Sequence, residues 1–331
     1  MIQIKSPLRL GFAGGGTDLD YYVNKFGGLI LNTTISLYTY VTIEYIDNQI
    51  ILESIDQKKK FRFDKTLYLE LNGELDLLKG VYNRFVKEFK LEPFTFKVTT
   101  FSEVPLGSGL GGSSTLVVSL VKAFSRFLNI SLNKYEIVNL SFKVEREDIG
   151  IAGGLQDYYS AVFKGFNFIK FSTNKCVLIN QLNLDENIIK TIENSIVLYY
   201  TGIQRNASII EKNKTILLYE NITLESMHKI KKDVQLMKNA IILGDINEMA
   251  NILDTSWREK KRLNKNVSNT EIDKIYKLAL ENGAYGGKLS GAGGGGFMFF
   301  IVDIKKKKRL IDILNHEKGN VIEFSFVKGE K

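Results

Sequence analysis

Ser113 and Ser114 close a run from Pro105 to Thr115, PLGSGLGGSST, in which four glycines mix with hydroxyl residues directly ahead of an apolar helical pattern. Glycine backbones reach positive φ and let a ligand approach. The first turn of the following helix offers unpaired N–H groups and a positive dipole end to an anion. That is the chemistry of a phosphate cradle. A predicted strand over 94–100 precedes the run and a predicted helix over 113–128 follows it, which sets it apart from an ordinary Gly-rich surface loop.

Three nucleotide-binding patterns can be tried against the letters. A P-loop requires G-x-x-x-x-G-K-[ST]. The nearest candidate, Gly287-Lys288, continues with Leu289 and lacks the magnesium-binding hydroxyl. Gly107, Gly109 and Gly112 do satisfy the dinucleotide-binding spacing. A second apolar strand ending in an acidic residue should then follow about 20 residues on, yet 129–147 reads as a polar connection and a helix. The protein-kinase set fails because the chain has only His228 and His316, neither in an H-R-D triplet.

The chain has 331 residues, of which 44% are apolar, enough for about two domains with substantial cores. No segment approaches the roughly 18 consecutive apolar residues of a membrane span. Met1 to Lys5 leads into a strand-like pattern and not a signal peptide, so a cytoplasmic protein without a membrane partner is expected. Cys176 is the single cysteine and forbids an internal disulfide. A formal net charge of +8 is compatible with nucleic acid, acidic membranes or phosphorylated small molecules. The lysine runs 58–60 and 305–308 are short, lack interleaved aromatics and read as solvated turns, so no nucleic-acid partner is expected.

Period-two patterning dominates 29–46 and continues in short strands to Phe63. Helical spacing takes over from Glu74 to Lys90, where Leu75, Leu78, Val81, Tyr82, Phe85, Val86 and Phe89 share one face. A further helix is predicted over 134–148. Strands at 166–171 and 196–200, helices around 223–243 and 269–282, and a closing strand, helix and strand make up the second half. The division is placed at 170, giving domains 1–170 and 171–331.

Four clusters then need one explanation: Ser6 to Asp18 (SPLRLGFAGGGTD), the 105–115 run, Glu145 to Asp157, and Lys288 to Gly296 (KLSGAGGGG). Together and in this order they resemble the GHMP kinases, and the resemblance covers nearly the whole chain. It implies an α+β, two-domain GHMP kinase fold: a ribosomal-protein-like N-terminal domain with a left-handed βαβ unit, and a ferredoxin-like C-terminal domain.

The family's second motif, approximately P-x-G-x-G-L-G-S-S-A, is matched from Pro105 to Ser114, with Gly112 replacing the first serine and Ser114 the alanine. The resemblance makes Pro105, Gly107, Ser108, Gly109, Leu110, Gly111, Gly112, Ser113 and Ser114 the ATP-binding run. Ser113 becomes the hydroxyl that helps hold Mg²⁺, with Ser114 as the alternative. By the same resemblance Glu145 is the magnesium carboxylate, Asp157 the catalytic base and Arg9 the charge-stabilising residue. Thr17, Asp18, Gly15 and Gly16 match sugar contacts, and Gly291, Ala292, Gly293 and Gly294 form the third-motif loop. Glu147 and Asp148 read as a solvated helix end, and Arg205, after a strand end, is a candidate for a sugar phosphate.

The Gly14-Gly15-Gly16-Thr17-Asp18 form of the first motif lacks the acidic residue and histidine that galactokinases carry. It resembles the branch with heptose 7-phosphate kinases and fucokinase-like enzymes. This implies ATP and a sugar phosphate as partners and phosphorylation of an anomeric hydroxyl, to a 1,7-bisphosphate when the sugar is D-glycero-D-manno-heptose 7-phosphate. Two other classes compete: a sensor that binds sugar and ATP without transfer, and an RNA-binding protein using the +8 charge. The sensor has no need of Asp157 and Glu145, and the RNA-binding protein no need of three glycine motifs.

Overall fold

The computed structural model describes residues 1–105, 107–203 and 221–329. Two compact units share the chain discontinuously. One comprises Met1–Leu8, Leu37–Leu106 and Gly111–Phe163, and the other Arg9–Ser36, Gly107–Leu110 and Lys164–Lys331. Arg205 lies outside the described residues.

The first unit is built on strands β1 (Ile2–Ala13), β2 (Gly28–Glu44), β3 (Gln49–Ser54), β4 (Lys59–Asp64) and β5 (Phe96–Ser102). β1 pairs with β2. The later half of β2 runs antiparallel to β5, from Thr39 opposite Ser102 to Glu44 opposite Lys97. β3 pairs antiparallel with β4 and parallel with β5, so the segment between β3 and β5 is a crossover connection. It contains helix α2 (Asp76–Phe89). The period-two pattern turns Val41, Ile43, Ile50, Leu52, Phe96 and Val98 into one buried layer beneath α2 and α3 (Gly112–Phe127). Phe124 of α3 meets Phe96 edge-on at 5.0 Å and Phe85 of α2 at 5.5 Å. Truncating such a ring to alanine costs about 3–5 kcal/mol.

Helix α4 (Lys134–Phe142) starts with a reciprocal cap. Asn133 Oδ1 accepts from the Glu136 N–H at 3.0 Å, and Glu136 Oε2 accepts from the Asn133 N–H at 2.7 Å. The helix expected over 134–148 is interrupted. From Lys143 to Asp148 the backbone widens into a π-helix, closed by the Ile149 N–H donating to Val144 O at 3.1 Å. This turn buries the adjacent residues Val144 and Glu145 together. Its end is pinned to α2, because Arg84 donates to both oxygens of Asp148, at 2.7 and 2.5 Å. Asp148 is thus an anchor, and only Glu147, 56% exposed, keeps the solvated character expected of the pair.

In the second unit the earlier half of β2 pairs antiparallel with β6 (Phe166–Phe171), which carries β7 (Val177–Gln181) on its other side. A separate antiparallel sheet contains β8 (Ile196–Tyr200), β9 (Ala284–Leu289), β10 (Phe297–Val302) and β11 (Asn320–Ile322) in the order β11-β8-β10-β9. Counted from β8 this is 4-1-3-2, with helices before the second and fourth strands, which is the ferredoxin-like arrangement. All six residues of β10 are buried, as its uninterrupted FMFFIV run requires of a central strand.

After α5 (Gln156–Phe163) and α6 (Glu186–Ser195), helix α7 (Asn221–Leu243) agrees with its sequence pattern, as does α9 (Thr270–Glu281). Helix α8 (Ile246–Leu263) was not anticipated. Its apolar face, Met249, Ile252, Leu253 and Trp257, has helical spacing but ends in the charged run Arg258 to Arg262, which dilutes the pattern. Helix α10 (Lys307–Asn315) leads into β11.

Candidate active site

In the first unit the site grows from the first turn of α3. Gly111 precedes the helix with φ 79°, and no side chain caps the N-terminus. The first N–H groups therefore lack side-chain acceptors at the end where the helix dipole favours an anion. Among the described residues a Cβ placed on Gly112 would meet no atom within 4 Å, so there is room beside this glycine.

The same turn carries Ser113 and Ser114. Ser113 Oγ donates to Glu145 Oε1 at 2.6 Å, and Ser114 Oγ donates to Glu145 Oε2 at 2.7 Å. The Tyr158 hydroxyl also donates to Oε2, at 2.7 Å. Glu145 is 1% exposed, so three short bonds replace the water its carboxylate gives up. Burial, reinforced by the Glu145 charge, pushes the Tyr158 phenol far above its ordinary range, which keeps it a donor. Ser114 is buried and Ser113 half-buried, so the two hydroxyls are not equivalent.

Arg146 shapes the connection to the next acid. Its guanidinium donates to Ile151 O at 2.5 Å and to Gly154 O at 3.4 Å, and it lies 5.4 Å from the centre of the Tyr158 ring. A side chain on Gly153 would run into it, at 2.5 Å from Nη2. The loop so held delivers Asp157 to the first turn of α5, half-buried and one residue before Tyr158.

In the second unit Arg9 Nη1 donates to Gly109 O at 2.6 Å and to Ser290 Oγ at 3.3 Å. Ser290 Oγ donates to the same Gly109 carbonyl at 2.9 Å. The second and third glycine motifs meet backbone to backbone here. A Cβ on Gly109, whose φ is 87°, would sit 2.5 Å from Ser290 O, and one on Gly291 would sit 2.5 Å from Gly109 Cα. The Phe297 N–H donates to Ser108 O at 2.9 Å, and the Gly294 N–H to Val267 O at 2.8 Å. Gly291, Gly293 and Gly294 thus have packing partners within the protein; Gly293 is pressed against Val267 and Ala292 is half-buried.

The first-motif loop has a comparable framework. Thr17 Oγ1 donates to Leu29 O at 2.7 Å and accepts from the Leu29 N–H at 3.1 Å, which commits the hydroxyl proton to β2. Asp18 Oδ1 accepts from the Gly16 N–H at 3.2 Å, and its charge, after burial, raises the Tyr21 phenol to about 12. A Cβ on Gly14 would lie 2.0 Å from Leu29 O, which excludes any side chain, whereas one on Gly15 would meet no atom of the described residues within 4 Å.

Sequence reasoning placed Ser113, Ser114 and Glu145 in one role, and the structure joins them. It missed Tyr158 and Arg146. The pattern Glu145-Arg146 with an aromatic directly after Asp157 carries no recognisable spacing, because the π-helix breaks the period that links them.

Residues 76–165 match the GHMP kinases N terminal domain, and 236–320 the GHMP kinases C terminal family. The D-glycero-alpha-D-manno-heptose 7-phosphate kinase of Campylobacter jejuni is 49% identical over 328 residues, covering 99% of this chain and 97% of that protein. A galactokinase of Pyrococcus furiosus is 27% identical over 345 residues, covering 96% and 93%. Among solved structures, a D-glycero-D-manno-heptose 1-phosphate kinase from Bacteroides thetaiotaomicron superposes with a TM-score of 0.85 at 38% identity, covering 99% of this chain and 97% of that one. With the family's two halves matched in order, and a relative aligned end to end at that identity, the chain belongs to the GHMP kinases.

Proposed function

We propose that the chain transfers the γ-phosphoryl group of ATP to the anomeric hydroxyl of D-glycero-D-manno-heptose 7-phosphate, forming the 1,7-bisphosphate. The observation that carries the transfer is the buried Glu145 carboxylate, bonded to both serines of the uncapped first turn of α3. The choice of sugar is supported by the identity to the Campylobacter heptose 7-phosphate kinase.

Among the described residues no group of three or more His, Cys, Asp or Glu could hold a metal by itself. Glu145 and Ser113 make a sparse, all-oxygen donor set. That suits Mg²⁺, which keeps several waters and takes further oxygens from nucleotide phosphates. When bound, the ion neutralises charge on the β- and γ-phosphates. Ser113 and Oε1 are the ligand-facing pair, since Ser113 is the more exposed serine and Oε2 is already shared by Ser114 and Tyr158.

Asp157 takes the proton of the acceptor hydroxyl as its oxygen bonds to the γ-phosphorus. The bond from that phosphorus to the β–γ bridging oxygen breaks, and ADP leaves with the electron pair. Arg9 offsets the developing charge. The backbone from Pro105 to Ser114 cradles the phosphates, and Gly15, Gly16, Thr17 and Asp18 border the sugar. Residues 1–170 serve as the ATP-binding half and 171–331 as the C-terminal half. The reaction belongs in the cytoplasm, where ATP is supplied, and its product feeds nucleotide-activated heptose for a surface polysaccharide.

Coupled ADP release with heptose 7-phosphate, fucose, galactose and mevalonate tests the reading. Turnover is expected with heptose 7-phosphate. Turnover with fucose alone would replace the substrate and keep the kinase. Asp157→Asn should lower kcat by about 10²–10⁴ without lowering Tm, and near wild-type turnover would remove Asp157 as the base.

A further inference from the structure

Helix α7 buries one stripe, Met227, Ile230, Val234, Met237 and Ile241, and Asp233 lies within it. Asp233 is 9% exposed, and its Oδ2 is buried with no hydrogen-bond partner among the described residues. A carboxylate at a core position without partners is a costly arrangement, and native interiors nearly always satisfy such a group. Glu259, which acts on Asp233 electrostatically, shows the contrast. It is compensated by Ser226, which donates at 2.6 Å, and by Lys229 and Arg262.

The positive charge that acts most strongly on Asp233 is Lys288 of β9. Lys288 is itself buried, and its ammonium makes one hydrogen bond, 3.1 Å to Phe12 O. Two of its three N–H donors therefore have no acceptor among the described residues. Lys288 and Asp233 influence each other electrostatically, yet they form no ion pair. Burial, with Arg9 nearby, lowers Lys288 to about 7, and burial with Glu259 raises Asp233 to about 6, so neither charge is fully supported.

Both groups adjoin residues that touch the first-motif loop. Phe12 stands two residues before Gly14, and Val234, next to Asp233, would lie 2.8 Å from a Cβ on Gly14. Met227, about two turns earlier on α7, sits 3.7 Å from the corresponding position on Gly16. Between them a Cβ on Gly15 would meet no atom of the described residues within 4 Å. A buried spare acceptor and buried spare donors, both on elements that touch this loop, are what one hydroxyl group satisfies by donating to the first and accepting from the second.

We propose that Asp233 and Lys288 form a hydroxyl-binding pair for the acceptor sugar, with one sugar hydroxyl donating to Asp233 Oδ2 and accepting from Lys288 Nζ. The inference rests on the sugar-phosphate reading above and adds two specificity-determining residues to it.

The test uses the full-length protein and its Asp233→Asn and Lys288→Met variants, with calorimetric Kd and steady-state KM for heptose 7-phosphate and for Mg-ATP. Each variant is expected to weaken the sugar about tenfold, through the loss of charge assistance in Asp233→Asn and of the donor in Lys288→Met, while ATP stays within about twofold. Asp233→Asn should not lower Tm, because Oδ2 makes no bond to lose. If an ordered water alone occupies the position, sugar affinity in both variants stays within about twofold of wild type, and the pair is overturned. Equal losses for sugar and ATP, or a lowered Tm with unchanged sugar affinity, also overturn it, as marks of a structural role. A wild-type protein that turns over no sugar overturns the parent reading, and this one with it. Sugar turnover with unaffected variants overturns only this one.

Discussion

Ser113 and Glu145 are joined across 32 residues of sequence by a hydrogen bond of 2.6 Å, which ties the first turn of α3 to the π-helix. The carboxylate oxygen it uses, Oε1, is the one that Ser114 and Tyr158 leave alone. Glu145→Gln keeps the shape and removes the charge, so the magnesium concentration for half-maximal activity should rise by about tenfold or more, with little change in sugar KM. Ser113→Ala should move the same curve in the same direction, and Ser114→Ala should chiefly lower Tm. A magnesium titration unchanged in Glu145→Gln would remove Glu145 from the metal site.

Tyr158 bears on Glu145 and not on any ligand directly. Removing its hydroxyl leaves the buried Oε2 with Ser114 as its remaining hydrogen-bond partner among the described residues. Tyr158→Phe should cost about 1–2 kcal/mol of stability, read as a lower denaturant midpoint at unchanged m-value. The magnesium curve should shift less than in Glu145→Gln, since the charge stays. A stability equal to wild type would show that the phenol bond contributes nothing net.

Much of this site was legible from letters because its parts are local. The glycine run, its two serines and the helix after it are adjacent, and apolar spacing alone located α2, α3, β6 and β8 to within a few residues. Long-range pairings were not legible. Nothing in the spacing of Gly109 and Ser290 shows that their backbones touch, so the third-motif glycines read equally well as ligand contacts. The π-helix was hidden because its composition, KVERED, suits an ordinary α-helix. Thr17 reads as a sugar contact by motif, but its hydroxyl proton goes to Leu29 of β2, a pairing that a loop sequence does not encode.

Asp233 makes stability depend on pH in a predictable direction. Burial and then Glu259 raise its folded pKa from 3.8 to about 6. Between those values the folded chain binds more protons at this site than the unfolded chain, so stability falls as pH rises through the window, and the penalty is complete above about 6. In Asp233→Asn this contribution disappears. The difference in Tm between variant and wild type should therefore grow in favour of the variant from pH 4 to pH 6.5. A constant difference would show that Asp233 titrates normally in the folded protein.

Two glycines of the same run separate packing from ligand binding. A methyl group on Gly109 would lie 2.5 Å from Ser290 O, on a backbone with φ of 87°, so Gly109→Ala must displace the third-motif strand end or adopt a strained conformation. A loss of about 1–3 kcal/mol is expected, with both substrates affected through the disturbed fold. Gly112 opens α3, and a methyl group there meets no atom of the described residues within 4 Å. Alanine suits a helix better than glycine by about 1 kcal/mol, so Gly112→Ala should hold or raise Tm. If the open space at this N-terminus is where the phosphates lie, the same methyl group obstructs them, and the KM for ATP should rise by about tenfold while sugar affinity is kept. Raised Tm with unaltered ATP kinetics would place the nucleotide elsewhere and leave the uncapped helix end without a role in phosphate binding.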